Sequence, residues 1–211
     1  MGALFTKGSG KDGLGSHFCS ASVVHSKTGN LVLTAAHCVS PAQASSILFV
    51  PDYNDGKAPL GVWQVSRVYE GSGWLSSRDP DDDVALLVVD KPGSRERIED
   101  LTGGERLPAS APASGTVVDV TAYPDGANGP VACRNSETLY SSSQLQFDCG
   151  GFTDGTSGSP LLADVNASTG LGTVLGAIGG YEQGGDTPSV SYAAVLGSNV
   201  EALYQRAEAA G

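Results

Sequence analysis

Thr34-Ala35-Ala36-His37-Cys38 places a histidine just after the apolar run Leu31-Val32-Leu33, and far downstream Gly155-Thr156-Ser157-Gly158-Ser159-Pro160 places a serine among glycines. Between them, Asp79-Pro80-Asp81-Asp82-Asp83 runs directly into Val84-Ala85-Leu86-Leu87, a continuous apolar stretch that reads as a buried strand. Each segment says little singly. In the order His, Asp, Ser they outline a nucleophilic apparatus. A serine hydroxyl is a weak nucleophile at neutral pH and needs a base that takes its proton and later returns it to the leaving group. His37 has that role. A carboxylate must hold one imidazole nitrogen protonated and stabilise the imidazolium. Asp83, the last residue before the strand, is the candidate, with Asp82 the alternative if the strand begins one residue earlier. The backbone N–H groups of Gly155 and Ser157 are the candidates for an oxyanion hole, because Gly155 tolerates the positive φ that turns its amide inward.

Short strand-like runs surround these segments. Leu31–Thr34, Ile47–Val50, Val62–Val65 and Val84–Val89 are separated by Gly, Pro, Asp and Asn clusters, which is barrel or sandwich punctuation. From Lys91 to about Gly115 the chain turns rich in Pro, Gly, Ser, Ala and charge, as a linker between lobes does. Strands resume at Val117–Tyr123, Thr138–Tyr140, Gln144–Phe147, Pro160–Leu162, Thr173–Ile178 and Val190–Val195. The expected division is therefore a first lobe over 1–95, a linker over 96–115, a second lobe over 116–197 and a helix over 198–211. Ser198 and Glu201 have the spacing of a capping box for that helix.

With these segments in hand, the chain resembles the trypsin-like serine proteases of the chymotrypsin fold, in their secreted bacterial branch. Thr34–Cys38 matches the family's histidine motif, Asp83–Leu87 its aspartate motif and Gly155–Pro160 its serine motif, and the likeness runs from about His17 to Tyr204. An α/β-hydrolase would instead run Ser, acid, His and show G-x-S-x-G, whereas the fifth position here is Ser159. The resemblance implies an all-β fold of two six-stranded antiparallel barrels packed face to face, a short C-terminal helix, and an active site between the lobes that hydrolyses peptide bonds through an acyl-enzyme on Ser157. It also implies a bridge between Cys19 and Cys38. Cysteine number alone leaves three pairings open; the implied bridge leaves Cys133 with Cys149, ahead of the serine segment. Bridges point to an oxidising compartment.

The resemblance places the base of the primary pocket six residues before the nucleophile, at Gly151, where trypsin has an aspartate. No histidine follows His37, which disfavours glutamate selectivity. Phe152 is expected to narrow the pocket, and Ile178, Gly179 and Gly180 to form the edge along which a peptide docks. Together these favour a small or medium uncharged residue before the scissile bond. Asp154, Glu182 and Asp186 at the rim make a basic residue the competing expectation. Thr156 stands where animal enzymes carry an aspartate that pairs with a freed N-terminus, so no such ion pair is expected.

Other readings are weaker. His17 and His25 sit in turn-like sequence and read as solvated, as do Asp79, Asp81 and Asp82. Calcium at the acidic cluster lacks a ligand-loop spacing, and no Cys-x-x-Cys pattern suggests zinc, so neither metal nor cofactor is expected. The 211 residues carry a formal charge of −11, which repels phosphate backbones and disfavours nucleic acid. No run approaches the ~18 apolar residues of a membrane span. Met1–Lys7 lacks signal-peptide architecture, so an exported protein is expected to have lost its leader, with Met1 in place of the residue that processing exposes. A monomer acting on polypeptides is expected. An esterase or acyl transferase using the same residues, and a silent binding module on the same fold, are the two alternatives.

Overall fold

The computed structural model describes residues 1–108 and 113–209. Strands β1 (Gly2–Lys7), β2 (Leu14–Val24), β3 (Leu31–Thr34), β4 (Ile47–Pro51), β5 (Trp63–Glu70) and β6 (Ala85–Asp90) form a closed barrel in the order β1-β2-β3-β6-β5-β4. Closure comes from β1, which pairs with both β2 and β4. Alternate residues fill the barrel, among them Leu4, Ala21, Val32, Phe49, Trp63 and Leu87, as the period-2 geometry of a strand dictates.

The opposite faces of β2, β3 and β6 are buried too. Leu31, Leu33 and Leu86 pack against Leu162, Val174, Ala177 and Ala194 of the second lobe, so β3 and β6 read as unbroken apolar runs for the reason doubly covered strands do. On β2 the outward positions are Ser20 and Ser22, both fully buried. Strands β1 and β2 are missing from the sequence-based set because their serines, glycines and single histidine mask the alternation.

The second lobe is β7 (Val117–Ala122), β8 (Val131–Ser136), β9 (Thr138–Leu139), β10 (Gln144–Asp148), β11 (Pro160–Ala163), β12 (Thr173–Ile178) and β13 (Val190–Val195). They form a seven-stranded sheet in the order β8-β7-β11-β12-β13-β10-β9. The all-β, two-lobed architecture with its C-terminal helix is thus as expected, but among the described residues the second lobe has one more strand than expected and is not zipped shut by a backbone ladder. Instead the Cys133–Cys149 disulfide links β8 to the end of β10, and the Asn135 side chain donates to the Asp148 carbonyl at 2.8 Å. Val118, Val120, Leu145, Phe147 and Leu161 fill its core.

Between the lobes the chain includes a short helix, α2 (Glu99–Thr102), after α1 (Ser72–Ser77) in the first lobe. Residues 109–112 of the expected linker lie outside the described residues. The terminal helix α3 (Ser198–Glu208) buries Val200, Leu203 and Ala207 in the core shared by both lobes. Its capping box does not form. Gly197 is the N-cap and no side chain caps it; the helix takes Ser198 into its first turn, and Glu201 instead accepts a bond from Gln205. Residues 210–211 of the expected helical segment lie outside the described residues. His17 is likewise corrected: it is buried, packs edge-on to Phe5, and donates from Nε2 to the Pro124 carbonyl at 2.7 Å, tying β2 to the second lobe. His25 is exposed and paired with Glu99.

Candidate active site

His37 lies in a single 3-10 turn, Ala36–Cys38, immediately after β3. The Cys19–Cys38 disulfide fastens that turn to β2. Asp83 sits just before β6, and the β3–β6 ladder, which pairs Thr34 with Ala85, brings the two residues together. Asp83 is completely buried, yet its carboxylate is well supplied with donors. Oδ1 accepts from the His37 amide at 2.7 Å. Oδ2 accepts from His37 Nδ1 at 2.7 Å and from the Gly180 amide at 2.8 Å. A carboxylate lying within 2.7 Å of Nδ1 makes that nitrogen the protonated one, which leaves Nε2 with a free lone pair. His37 is only 15% exposed at its side chain.

Asp82, the alternative carboxylate, is committed elsewhere: it accepts from the Gly73 amide at 2.7 Å and from Asn199 Nδ2 at 2.9 Å. Within the acidic cluster Asp79 and Asp81 are exposed in a turn, as expected, but Asp82 is not solvated. Asp82 is buried, Asp79 caps the Pro80–Asp82 turn by accepting from the Asp81 amide, and Asp81 accepts from Gln144 Nε2 at 2.8 Å. Four acids in five residues are tolerated because backbone and amide donors meet all four.

Ser157 comes from the second lobe, in the loop before β11, and lines a cavity of about 590 Å³ together with His37, Gly155 and the Cys19–Cys38 bridge. Its hydroxyl faces the Gln183 carbonyl at 3.5 Å. Among the described residues it makes no hydrogen bond to His37, and such catalytic bonds are often long or unaligned until substrate binds.

The amides beside Ser157 are aimed by their own peptide planes. In a trans peptide the N–H points opposite the preceding C=O. The Asp154 carbonyl accepts from the Asp125 amide at 2.6 Å, and the Thr156 carbonyl accepts from the Ser159 amide at 3.1 Å. The Gly155 and Ser157 N–H groups therefore point the other way, and neither donates within the described residues. Gly155 has φ +89°, and a Cβ there would run into the backbone of Tyr123 and Asp125. Ser20 braces the same loop from the first lobe: its amide donates to the Ser157 carbonyl at 2.8 Å, and its hydroxyl donates to the Gly155 carbonyl at 3.0 Å while accepting from the Tyr123 amide at 2.9 Å. Thr156 turns inward and donates to the Thr153 carbonyl at 2.7 Å, so the loop is held by neutral bonds, both local and from Ser20 across the lobes.

Beside Ser157 lies a second cavity, of about 260 Å³, lined by Phe152, Ile178 and the Gln183–Pro188 segment, with Asp154 and Asp186 among its walls. Phe152 is buried against Phe147, ring centroids 5.7 Å apart. Gly151 is exposed and stands beside this lining rather than within it. Gly179 and Gly180 are buried, and their amides are used inside the fold, by the Tyr192 carbonyl and by Asp83. What this edge has left for a peptide is the Gly179 carbonyl, which accepts no bond among the described residues. Just beyond, the rings of Tyr140, Tyr181 and Tyr192 meet with centroids 4.8–5.0 Å apart. Hydrogen bonding to Tyr140, then to Glu182, raises the Tyr181 phenol well above its ordinary value.

The trypsin-like peptidase domain is matched over residues 18–171, which spans all three motifs. The chain belongs to that family. No curated protein sequence matches the chain. Among solved structures, this trypsin-like peptidase is similar to the protease Anisep from Arthrobacter nicotinovorans, at 24% identity over 99% of this chain and 94% of that one, TM-score 0.78. It is also similar to the thermostable serine protease AL20 from an extremophilic microorganism, at 24% identity over 100% and 97%, TM-score 0.79. A Glu endopeptidase matches at 19% identity over 98% and 90%, TM-score 0.72. At these identities the likeness to solved structures concerns the fold, and the chain is a serine protease of that fold by its family. Sequence reasoning missed Ser20 and Gln144, which brace the site. Ser20 could have been suspected from its place next to Cys19; Gln144 carries no sequence signal.

Proposed function

We propose that this peptidase is a secreted endopeptidase that cleaves peptide bonds through an acyl-enzyme on Ser157. The reading rests above all on one observation: a fully buried Asp83 carboxylate joined at 2.7 Å to His37 Nδ1, on the wall of the cavity that Ser157 also lines. His37 Nε2 accepts the hydroxyl proton as Ser157 Oγ bonds to the substrate carbonyl carbon. The resulting oxyanion is met by the Gly155 and Ser157 amides, which are already aimed and need not reorganise. The protonated ring then passes its proton to the leaving amine, and a water repeats the cycle on the ester, returning Ser157 to its free form.

For the residue before the scissile bond we favour a small or medium uncharged side chain, because Phe152 and Ile178 give the cavity beside Ser157 apolar walls. Asp154 and Asp186 in the cavity wall support a basic residue as the second reading. The two disulfides favour an extracellular site of action, and among the described residues no helix is long and apolar enough to cross a membrane. We take the protein to act as a monomer on polypeptides.

Sulfonyl fluoride labelling tests the chemistry: one equivalent on Ser157, lost in His37→Ala, is expected, whereas an inert Ser157 would favour a silent binding module. Casein against small esters separates a peptidase from an esterase. Peptides that differ only before the scissile bond test selectivity, and cleavage after Arg with none after Ala, Leu or Phe would reverse our preference.

A further inference from the structure

Gln144, the first residue of β10, is 3% exposed, and its amide has no part in the chemistry just described. Its partners nonetheless lie in the two segments that adjoin Asp83 and Gly180. Nε2 donates to the Pro80 carbonyl at 3.0 Å and to Asp81 Oδ1 at 2.8 Å, in the turn that ends at Asp83. Oε1 accepts from the Tyr181 amide at 3.2 Å. The amide orientation is forced by this set: turned over, an oxygen would face two acceptors and an NH2 would face an N–H. Gly180 is pressed onto the same side chain, since a Cβ at 180 would overlap both Gln144 Oε1 and Nε2, and it adopts φ +75°.

One side chain therefore grips two segments from different lobes. The first carries Asp83. The second carries Gly180, whose amide is the third donor to the Asp83 carboxylate and the second to its Oδ2, and it leads into the Gln183–Pro188 wall of the cavity beside Ser157. The distance between Gly180 N and Asp83 Oδ2 is set by how far apart Gln144 holds their two segments. That bond is one of the three that orient the carboxylate beside His37 Nδ1.

We propose that Gln144 is a positioning residue for hydrolysis: it fixes the Pro80–Asp83 turn against Gly180–Tyr181, and so aligns Asp83 with His37 and holds the peptide-binding wall in register with it. This rests on the reading of Ser157, His37 and Asp83 as the catalytic set. In Gln144→Leu, which keeps bulk without hydrogen bonds, both the turn and the wall lose their common anchor, and small misplacements of reacting groups are costly in rate.

The test compares the unaltered protein with Gln144→Leu, Gln144→Glu, Asp81→Ala, and Gln144→Glu combined with Asp81→Asn. Each is assayed well below its melting temperature for Ser157 sulfonylation by a small sulfonyl fluoride and for kcat and KM on a tetrapeptide anilide. For Gln144→Leu and Gln144→Glu, sulfonylation and kcat should fall about tenfold or more, and the tetrapeptide KM should rise. Asp81→Ala alters an exposed partner and should give a smaller fall in both rates without threatening the fold. The double variant restores a donor opposite an acceptor and should recover part of the loss of Gln144→Glu. A merely structural Gln144 would lower the melting temperature but leave sulfonylation and kcat within twofold of the parent, and that result overturns the inference. If the parent itself fails to label at Ser157, the catalytic reading falls and the inference with it; a labelled parent with unaffected variants removes the inference alone.

Discussion

Asp83→Asn removes one charge and one acceptor from a site where every contact is a donor. The carboxylate accepts from the His37 amide, His37 Nδ1 and the Gly180 amide at 2.7, 2.7 and 2.8 Å. An amide can meet only one side of this set. If its NH2 takes the Oδ2 position, it faces the Gly180 N–H and pushes His37 into the tautomer protonated at Nε2, which cannot accept the serine proton. If the NH2 takes the Oδ1 position, it faces the His37 N–H and leaves a buried donor unmet. Leaving one such group unsatisfied costs about 1–3 kcal/mol of stability. For triads of this type the wrong tautomer lowers kcat by about 10⁴, which at 1.36 kcal/mol per tenfold is about 5.4 kcal/mol of transition-state stabilisation. The assay is kcat on a peptide anilide at neutral pH, with circular dichroism to show that the variant is folded. Asp82→Asn is the control, because Asp82 bonds to Gly73 and Asn199 and not to His37. A folded Asp83→Asn protein with kcat within tenfold of the parent, or an Asp82→Asn protein that loses as much, would refute the assignment.

Three further outcomes follow from the packing. Gly158→Ala forces an L side chain to φ +86° and drives its Cβ into the Ser20 carbonyl and the Thr34 hydroxyl; a loss of about 2 kcal/mol or more is expected in urea unfolding, with slower Ser157 labelling. Replacing Cys133 and Cys149 by alanine opens a bridge of sequence separation 16 and should lower the melting temperature by roughly 6–12 °C, from about 3 kcal/mol, while labelling at 20 °C persists. Glu105 is buried, and that burial raises its pKa despite the bond from the Gly172 amide. A carboxyl with a raised folded pKa contributes stability that is complete below its unfolded value and is lost as pH rises towards the folded one. Glu105→Gln should therefore match the parent near pH 4 and gain on it as pH rises above the unfolded value, and a melting-temperature difference that does not change with pH contradicts this.

The motifs were readable because their chemistry needs particular residue types in a particular order, and because β3 and β6, covered on both faces, write themselves as unbroken apolar runs. What stayed hidden was polar and buried. His17 and Asp82 look solvated in sequence, since nothing local shows that Pro124, Gly73 and Asn199 will arrive to satisfy them. β2 hides its alternation because its outward face meets the other lobe through serines. Gln144 is an ordinary strand residue until residues 80, 81 and 181 fold around it. The failed capping box has a simpler origin: a one-residue shift in where the helix begins removes the Ser198 cap altogether.

Leu31, Leu33 and Leu86 belong to the first lobe, yet their side chains lie in one apolar cluster with Leu162, Val174, Leu196 and Leu203. The catalytic residues are split between two lobes that, besides the core inside each, share a third between them. Neither lobe can open away from the other without exposing a shared interior, so hinge motion is an expensive way to admit substrate, and access has to come from the loops that border the cleft. Integrity of the lobe contact and integrity of the chemistry thus become the same thermodynamic quantity: heat or denaturant should extinguish catalysis and tertiary structure in a single transition.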